Sequence, residues 1–274
     1  MYGAWFEPLR AYVGSRLPPR LYLPCAVLLA VAGLAGGREP NLGQLLFSGV
    51  QAWTLLLQFR LWDDLCDRER DRRTHPDRVL VRAASLAPFR VLLILAFLLN
   101  LALVAVRPDF LNLGLFLALN GAAALWYGWG RRVPPNAILG YHLVLVKYPV
   151  FVLLLSQPVS SGWGATLAMG LVYLCFAIHE AIHDPSLAGV PGVRTVLAAE
   201  TLGLFLVGEC MALDLADRSL SLATLEALLG LAVLPLLAGQ LRPSRRAARD
   251  GHKGLLVFVL GFVLIVNYTL GGRP

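Results

Sequence analysis

Four aspartates stand close together in the most charged stretch of the chain. Asp63, Asp64, Asp67 and Asp71 form the pattern DDxxDxxxD. If the pattern continues a helix, Asp63, Asp67 and Asp71 recur every four residues, and Asp64 joins the last two at spacings of three and seven, so that all four are expected to face one way. Mg²⁺ prefers oxygen ligands and commonly bridges a few carboxylates to substrate phosphates. The pattern predicts such a site; the alternative is a solvated helix whose arginines neutralise Asp67 and Asp71.

A second acidic pair lies further along the chain. Glu180 and Asp184 are four residues apart in the segment Glu-Ala-Ile-His-Asp, which places both carboxylates on one helix face. Taken alone, the pair is equally typical of an ordinary helix end. Two acidic faces that meet over the mouth of a helical bundle would form a two-cluster metal–diphosphate site, and the two clusters together favour this interpretation.

The composition indicates which elements must position these residues. Of 274 residues, 57% are hydrophobic and 15% are charged, and the mean hydropathy is +0.66. A soluble domain has about a quarter charged residues and a little under half apolar ones. The composition therefore excludes an ordinary cytosolic enzyme, and it excludes a disordered chain, because disorder requires low hydrophobicity.

Nine apolar runs are long enough to cross a bilayer, which takes roughly 20 residues per helix. They span about 21–37, 43–62, 88–106, 110–129, 137–157, 162–180, 196–213, 221–240 and 254–271. The runs are continuous rather than alternating, which favours helices over strands. We expect an all-α integral membrane protein, with nine transmembrane helices in one bundle around a central cavity. Residues 1–274 form one domain, and 1–20 form an interfacial segment.

The basic residues predict the orientation of the bundle. With a cytoplasmic N-terminus, the inner segments hold 19 of the 24 lysines and arginines, the outer segments hold four, and Lys147 lies within a span. This split agrees with the positive-inside rule. Both acidic motifs then fall on the cytoplasmic side, in loops 2–3 and 6–7, where 63–87 and 180–195 would cap the active site.

The motifs, their order and the nine-span count resemble the UbiA superfamily of intramembrane prenyltransferases. Asp63–Asp71 matches the family's NDxxDxxxD, and Glu180-x-x-x-Asp184 matches its DxxxD. Three shorter elements also match: Arg78-Val79-Leu80 is similar to Arg-Pro-Leu, Tyr127-Gly-Trp-Gly-Arg131-Arg132 to Tyr-x-x-x-(Lys/Arg)-Arg, and Gly192-Val193-Arg194-Thr195 to Gly-Ile-(Lys/Arg)-Thr. The departures are Asp63 for Asn, Glu180 for Asp and Val79 for Pro; the two acidic changes keep oxygen ligands.

The resemblance implies Mg²⁺-dependent transfer of a prenyl group from an isoprenyl diphosphate to an acceptor, with release of pyrophosphate. The commonest use in the family favours an aromatic or quinone-type acceptor, and some members are terpene cyclases. The implied metal ligands are Asp63, Asp64, Asp67, Asp71, Glu180 and Asp184. The implied catalytic residues are Asp64, Asp67, Asp71 and Asp184. Four arginines are the expected diphosphate-binding residues: Arg72, Arg78, Arg131 and Arg194.

Several polar residues lie inside the apolar runs. Lys147 is costly in hydrocarbon and is expected to face the bundle interior, as a partner for the diphosphate or an acceptor anion; the alternatives are pairing with Glu200 and snorkelling through Tyr148. His142 lies one turn earlier and would share the substrate cavity with Lys147. Interhelical hydrogen bonds are expected for Gln58, Asn100 and Asn120.

A motif of another functional class overlaps the second acidic pair. His179-Glu180-x-x-His183 is a literal HExxH, in which two histidines bind zinc and the glutamate acts as a base. Glu200 follows at a plausible distance for a third ligand. An intramembrane zinc metallopeptidase is therefore an alternative, although it leaves the four aspartates unexplained. A transporter or structural membrane protein is the non-enzymatic alternative.

Overall fold

The computed structural model describes residues 3–35, 41–107, 109–129, 137–156, 162–184, 187, 189–215 and 251–271. These ranges form twelve helices and contain no strand. In chain order, they are α1 Gly3–Arg16, α2 Pro19–Leu34, α3 Leu42–Cys66, α4 Arg68–Thr74, α5 Val79–Arg82, α6 Ala87–Ala105, α7 Phe110–Gly128, α8 Ala137–Leu145, α9 Lys147–Leu155, α10 Trp163–His183, α11 Val193–Leu215 and α12 Gly251–Gly271.

The helices coincide with eight of the nine predicted runs, and the run at 221–240 lies outside the described residues. Among the described residues, four helical segments are long and apolar enough to cross a membrane: α6, α7, α8 together with α9, and α10. The pair α1 and α2 also qualifies when it is counted as one span bent by 70°. The chain is accordingly an integral membrane protein of helical type. The count of nine crossings stays a prediction.

The core lies between α2, α3, α9, α10 and α12. Fully buried side chains from these helices include Leu28, Phe59, Phe151 and Leu171. By contrast, α6 and α7 present large apolar residues outward, as at Leu98, which is 51% exposed. Exposed leucines in this number indicate a lipid-facing surface, since lipid tails solvate apolar side chains as well as a protein core does.

A chain of amide and hydroxyl groups connects α3 to α6 and α7 inside the bundle. The Thr54 hydroxyl donates to Asn100 Oδ1 at 2.6 Å, and Asn100 Nδ2 donates to Gln58 Oε1 at 2.9 Å. Gln58 Nε2 in turn donates to Asn120 Oδ1 at 2.6 Å. The interhelical hydrogen bonds predicted for Gln58, Asn100 and Asn120 are thereby confirmed. They fix α3, whose last turns carry the first acidic motif.

Both acidic motifs lie where a helix ends. Asp67 separates α3 from α4, yet its backbone N–H bonds Asp63 O at 2.9 Å, and Asp71 N bonds Asp67 O at 2.8 Å. Asp184 follows the last residue of α10 as its C-cap, with an extended backbone at φ −81° and ψ 110°. The path into α11 turns through Gly192, whose φ of 86° is a left-handed conformation that favours glycine. Helix ends expose side chains that a continuous span would bury.

Candidate active site

Asp63 of the first motif lies within electrostatic range of the second motif. The Glu180 carboxyl interacts with the charges of both Asp63 and Asp184, and also with those of Arg60 and Lys147. The helices between explain this proximity, because α2 and α9 pack against both α3 and α10. The end of α3 and the end of α10 therefore share one region, which combines three carboxylates with two cationic side chains.

Arg60 is a member of this group that the sequence motifs missed. Its Nε lies 3.4 Å from Asp64 Oδ2, and its guanidinium also interacts with the charges of Asp63 and Glu180. The sequence carried one signal for it, since Arg60 precedes Asp63 and Asp64 by three and four residues on the same helix.

Lys147 belongs to the same region through the first turn of α9. Its Nζ lies 5.3 Å from the centre of the Tyr148 ring, and its charge acts on the Glu180 carboxyl. Glu200, the pairing partner considered for it, instead accepts a hydrogen bond from Tyr141. Lys147 therefore lies near a carboxylate of the second motif, and its role as a partner for an anionic substrate group stays a prediction.

Asp64 contacts α1 through both of its carboxylate oxygens. Oδ2 accepts from the Tyr12 hydroxyl at 2.9 Å and from Arg16 Nε at 3.0 Å, while Oδ1 accepts from Arg16 Nη2 at 2.5 Å. The expectation that all four aspartates line one stripe is therefore not met. The reason is geometric: neighbouring helical residues lie about 100° apart, so Asp63 and Asp64 reach different partners.

These contacts also set the ionisation of Asp64, which lies beyond the apolar part of α3. Burial acts to raise the pKa of the carboxyl. The hydrogen bond from Arg16 and the positive charges of Arg60 and Arg16 outweigh burial and hold the pKa of Asp64 below its ordinary value. Asp64 is accordingly a charged, fully engaged group that fastens α1 to α3.

The later part of the first motif is tied to its own loop. Arg78 Nη1 donates to Asp71 Oδ1 at 2.5 Å, so one expected diphosphate-binding arginine neutralises one expected metal ligand. Arg72 pairs with Glu69 at 2.8 Å on the exposed side of α4. Asp67 is partly buried at the junction of α3 and α4. The loop is held in place by Arg68, whose Nε donates to Leu80 O at 2.9 Å.

The two other arginines predicted to bind diphosphate are Arg194 and Arg131. Arg194 is exposed in the first turn of α11, two residues after Gly192. Arg131 lies outside the described residues. The Tyr127 ring of the same predicted element packs 5.5 Å from the Trp62 ring, centre to centre, and so joins the end of α7 to the end of α3.

Aromatic side chains pack against one another in the core next to Lys147. Tyr148 stacks on Phe176 with ring centres 3.5 Å apart, and Phe59 packs against Phe151 at 5.2 Å. Rings from α3, α9, α10 and α12 continue this surface, and we name the set the aromatic cluster: Phe59, Trp62, Tyr148, Phe151, Phe176 and Phe258. Aromatic faces attract cations and exclude water.

The two histidines of the HExxH motif lie on one face of α10. Their ring centres are 4.5 Å apart, and the His179 ring packs 5.1 Å from Phe258. Glu200, the third ligand considered for zinc, contacts Tyr141 and His142 instead. Across the described residues, no group of three His, Cys, Asp or Glu side chains is assembled closely enough to hold a metal by itself.

The acidic residues nevertheless fit Mg²⁺ by their chemistry. Mg²⁺ keeps several waters and binds through one or two carboxylates plus substrate phosphates, so that it does not require a cage made only of protein. Asp63, Glu180 and Asp184 supply hard oxygen ligands from two helix ends that face one region. The donor set is suited to a cation that arrives with a phosphorylated substrate.

Two solved structures share the architecture of this chain. An apo structure of a UbiA homologue from Aeropyrum pernix K1 aligns with a TM-score of 0.63 and 16% identity, covering 92% of this chain and 97% of that chain. The chain has the UbiA fold. A structure from work on the biosynthesis of digeranylgeranylglyceryl phosphate synthase in membranes aligns with a TM-score of 0.62 and 12% identity, covering 97% and 99% of the two chains.

The resemblance to the UbiA superfamily that the motifs indicated is thus confirmed at the level of the fold. No family model and no curated protein matches the chain by sequence. At identities of 12% and 16%, the two alignments identify the architecture of this UbiA-fold chain and not its reaction.

Proposed function

We propose that this chain transfers a prenyl group within the membrane, from an isoprenyl diphosphate to an acceptor, and releases pyrophosphate in a Mg²⁺-dependent reaction. The observation that supports the proposal is that the charges of Asp63, Asp184, Arg60 and Lys147 all act on the Glu180 carboxyl. The acceptor class that we favour is aromatic or quinone-type, as the resemblance implies. Without an acceptor, the same site would serve a terpene cyclase.

The charged group would bind the diphosphate. Asp63, Glu180 and Asp184, with Asp67 and Asp71 from the adjoining loop, would hold Mg²⁺, which when bound supplies Lewis-acid stabilisation of the leaving group. Arg60 and Lys147 would hold the phosphate oxygens by charge-assisted hydrogen bonds. Arg194 can add a further guanidinium from the start of α11. These cations replace water as the partners of the departing pyrophosphate, which favours ionisation of the allylic C–O bond.

The aromatic cluster would protect the carbocation that ionisation produces. Tyr148 follows Lys147 directly, and Phe59 precedes Arg60, so the aromatic surface begins where the charged group ends. Ring faces stabilise a cation, while the apolar surroundings keep water from capturing it. The acceptor nucleophile then attacks the allylic carbon and loses a proton.

Asp64 takes a different part in this proposal from the one expected of it as a metal ligand. Both of its oxygens are engaged by Arg16 and Tyr12 of α1. We assign it the role of a positioning residue, which fixes the end of α3 and thereby the direction of Asp63.

The test is pyrophosphate release by the purified full chain in detergent, supplied with geranyl, farnesyl or geranylgeranyl diphosphate and a crude lipid extract. Release is expected to require Mg²⁺ and to stop with EDTA. Asp63→Asn and Asp184→Asn should each lower the rate by about 100-fold, which corresponds to about 2.7 kcal/mol of transition-state stabilisation. Asp77→Asn is the matched control, because Asp77 is an exposed aspartate of the same loop.

Two results would overturn the proposal. One is release that survives both Asp67→Asn and Asp184→Asn at the rate of the unaltered chain. The other is an absence of release together with tight Zn²⁺ binding that His183→Ala abolishes, which would make HExxH the functional motif. Glu180 belongs to both interpretations, so its substitution does not separate them.

A further inference from the structure

A second group of polar side chains lies inside the bundle, away from the acidic motifs. It joins α8, α10 and α11 and consists of Tyr141, His142, Tyr173 and Glu200, which we name the Glu200 cluster. The Tyr141 hydroxyl donates to Glu200 Oε1, and His142 Nε2 lies 3.7 Å from the same oxygen. His142 Nδ1 and the Tyr173 hydroxyl are 2.6 Å apart.

The cluster leaves one strong acceptor unused. Glu200 is 5% exposed, and its Oε2 is buried with no hydrogen-bond partner among the described residues. A neutral His142 that carries its proton on Nε2 faces Oε1 and accepts from Tyr173 at Nδ1, so the histidine adds no donor for Oε2. Burying an acceptor without a donor costs free energy. A hydrogen-bond donor from outside the cluster would remove that cost.

Three members of the cluster are partly exposed, and one of them shares a face of α10 with Glu180. His142 keeps 24% of its side chain exposed, and Tyr141 and Tyr173 are also partly exposed. Tyr173 and Glu180 are seven residues apart on α10, which places them on one helix face, roughly 10 Å apart along the axis. A molecule that extends from the diphosphate site along α10 would meet the Glu200 cluster two turns away.

We propose that the Glu200 cluster binds the acceptor substrate through a hydroxyl group, which donates its hydrogen bond to Glu200 Oε2. A neutral hydroxyl suits this position better than an ammonium group, because a buried cation loses more hydration. The acceptor is therefore an otherwise apolar molecule with a hydroxyl. This inference rests on the proposed prenyl transfer, and it disfavours a cyclase, which needs no second substrate.

The experiment compares two probes that differ only in this donor. Binding of 4-hexylphenol and of its methyl ether, 4-hexylanisole, is measured calorimetrically on the purified full chain in lipid nanodiscs. The hydrogen bond to Glu200 Oε2, which the ether cannot donate, predicts that the phenol binds about tenfold more tightly. Equal binding of the two probes would overturn the proposal, and it is the result that a bound water on Oε2 would give.

Glu200→Gln then tests the residue. The amide oxygen is expected to stay with the Tyr141 hydroxyl, which places the NH₂ group where Oε2 was and opposes a donor. The preference for the phenol should fall below threefold, while Glu209→Gln, the matched glutamate of α11, should keep it. An unchanged preference in Glu200→Gln would contradict the assignment. A purely structural role would lower thermal stability and leave the ratio of the two affinities as it was.

A second variant and a parallel assay keep the result decisive. If Glu200→Gln does not fold, Glu200→Asp shortens the side chain, withdraws the carboxylate from the position of Oε2 and should lower the preference at least threefold; an unaltered ratio would again overturn the proposal. Pyrophosphate release is measured on the same samples. Release without a phenol preference defeats the Glu200 cluster alone, whereas a phenol preference without release defeats the proposed prenyl transfer alone.

Discussion

Asp63 and Asp64 are adjacent acids with separate tasks. Asp63 shares a region with Glu180 and Asp184, whereas both oxygens of Asp64 accept hydrogen bonds from α1. The guanidinium of Arg60 interacts with both aspartates. A substitution at Asp64 should therefore act first on stability, and one at Asp63 on the reaction.

Asp64→Asn is expected to destabilise the chain by about 3 kcal/mol, because removing one member of a buried ion pair leaves its partner uncompensated. Arg16, 20% exposed in its side chain, is the partner that loses its charge complement. Thermal unfolding in detergent measures the effect. Glu69→Gln is the matched control, since the exposed pair of Glu69 with Arg72 should contribute under about 1 kcal/mol. Equal melting of the two variants would contradict the assignment.

The effect of Asp64→Asn on stability should depend on pH. Arg16 and Arg60 lower the pKa of Asp64 in the folded chain against the effect of burial. The free energy of unfolding that ionised Asp64 adds is therefore fully present above the unfolded pKa of about 4. It is lost as the pH falls through the folded-state pKa. The difference in unfolding free energy between the wild type and Asp64→Asn should narrow as the pH is lowered from 7 to about 3.

Residue chemistry predicted contacts where a side chain has few alternatives. Buried amides in a membrane must pair, so the bonds of Gln58, Asn100 and Asn120 followed from their positions alone. The partners of Asp64 on α1 and those of Glu200 could not be predicted in this way, because they depend on which helices pack together. Hydropathy predicts the length of a helix but not which helices pack against it.

At the scale of elements, the site depends on close helix contacts that small residues allow. α2 and α9 meet at Gly33, where an added Cβ would lie 2.4 Å from Leu155 Cβ. These two helices also bridge α3 and α10, which carry the two acidic motifs. The distance between the motifs is therefore set partly by a glycine far from either of them in sequence. A pattern of hydrophobic runs locates the helices and does not reveal this approach.

Gly33→Ala is expected to destabilise the fold by about 1 to 3 kcal/mol, the usual range for overpacking a core. It should also lower pyrophosphate release, because α2 and α9 must separate. Gly49→Ala on α3 is the control, since nothing lies within 4 Å of its added Cβ, and alanine favours a helix over glycine by up to about 1 kcal/mol. Thermal unfolding of both variants measures the contrast. A Gly33→Ala chain as stable as the control would show that α2 and α9 tolerate a wider spacing.

At the scale of the whole molecule, the exposed apolar surface defines the solvent that the fold needs. Residues such as Ile94, Leu98 and Leu125 are more than half exposed on α6 and α7. In water this surface would drive aggregation, whereas in a bilayer it is solvated by lipid tails. The membrane therefore completes the structure, and the side on which the acidic motifs emerge decides which aqueous compartment they face.

The positive-inside pattern predicts that this side is the cytoplasm, and cysteine labelling can test it. Cys66, exposed at the end of α3, should react with a membrane-impermeant maleimide in inverted vesicles and not in intact cells, once the other three cysteines are replaced by alanine. Phe110→Cys, at a site 92% exposed at the start of α7, should show the reverse in a chain whose native cysteines are all alanine. Reversal of both results would place the N-terminus and both motifs outside. Labelling of both sites from one face would disprove the crossing between them, because α6 separates the two positions and must span the membrane once.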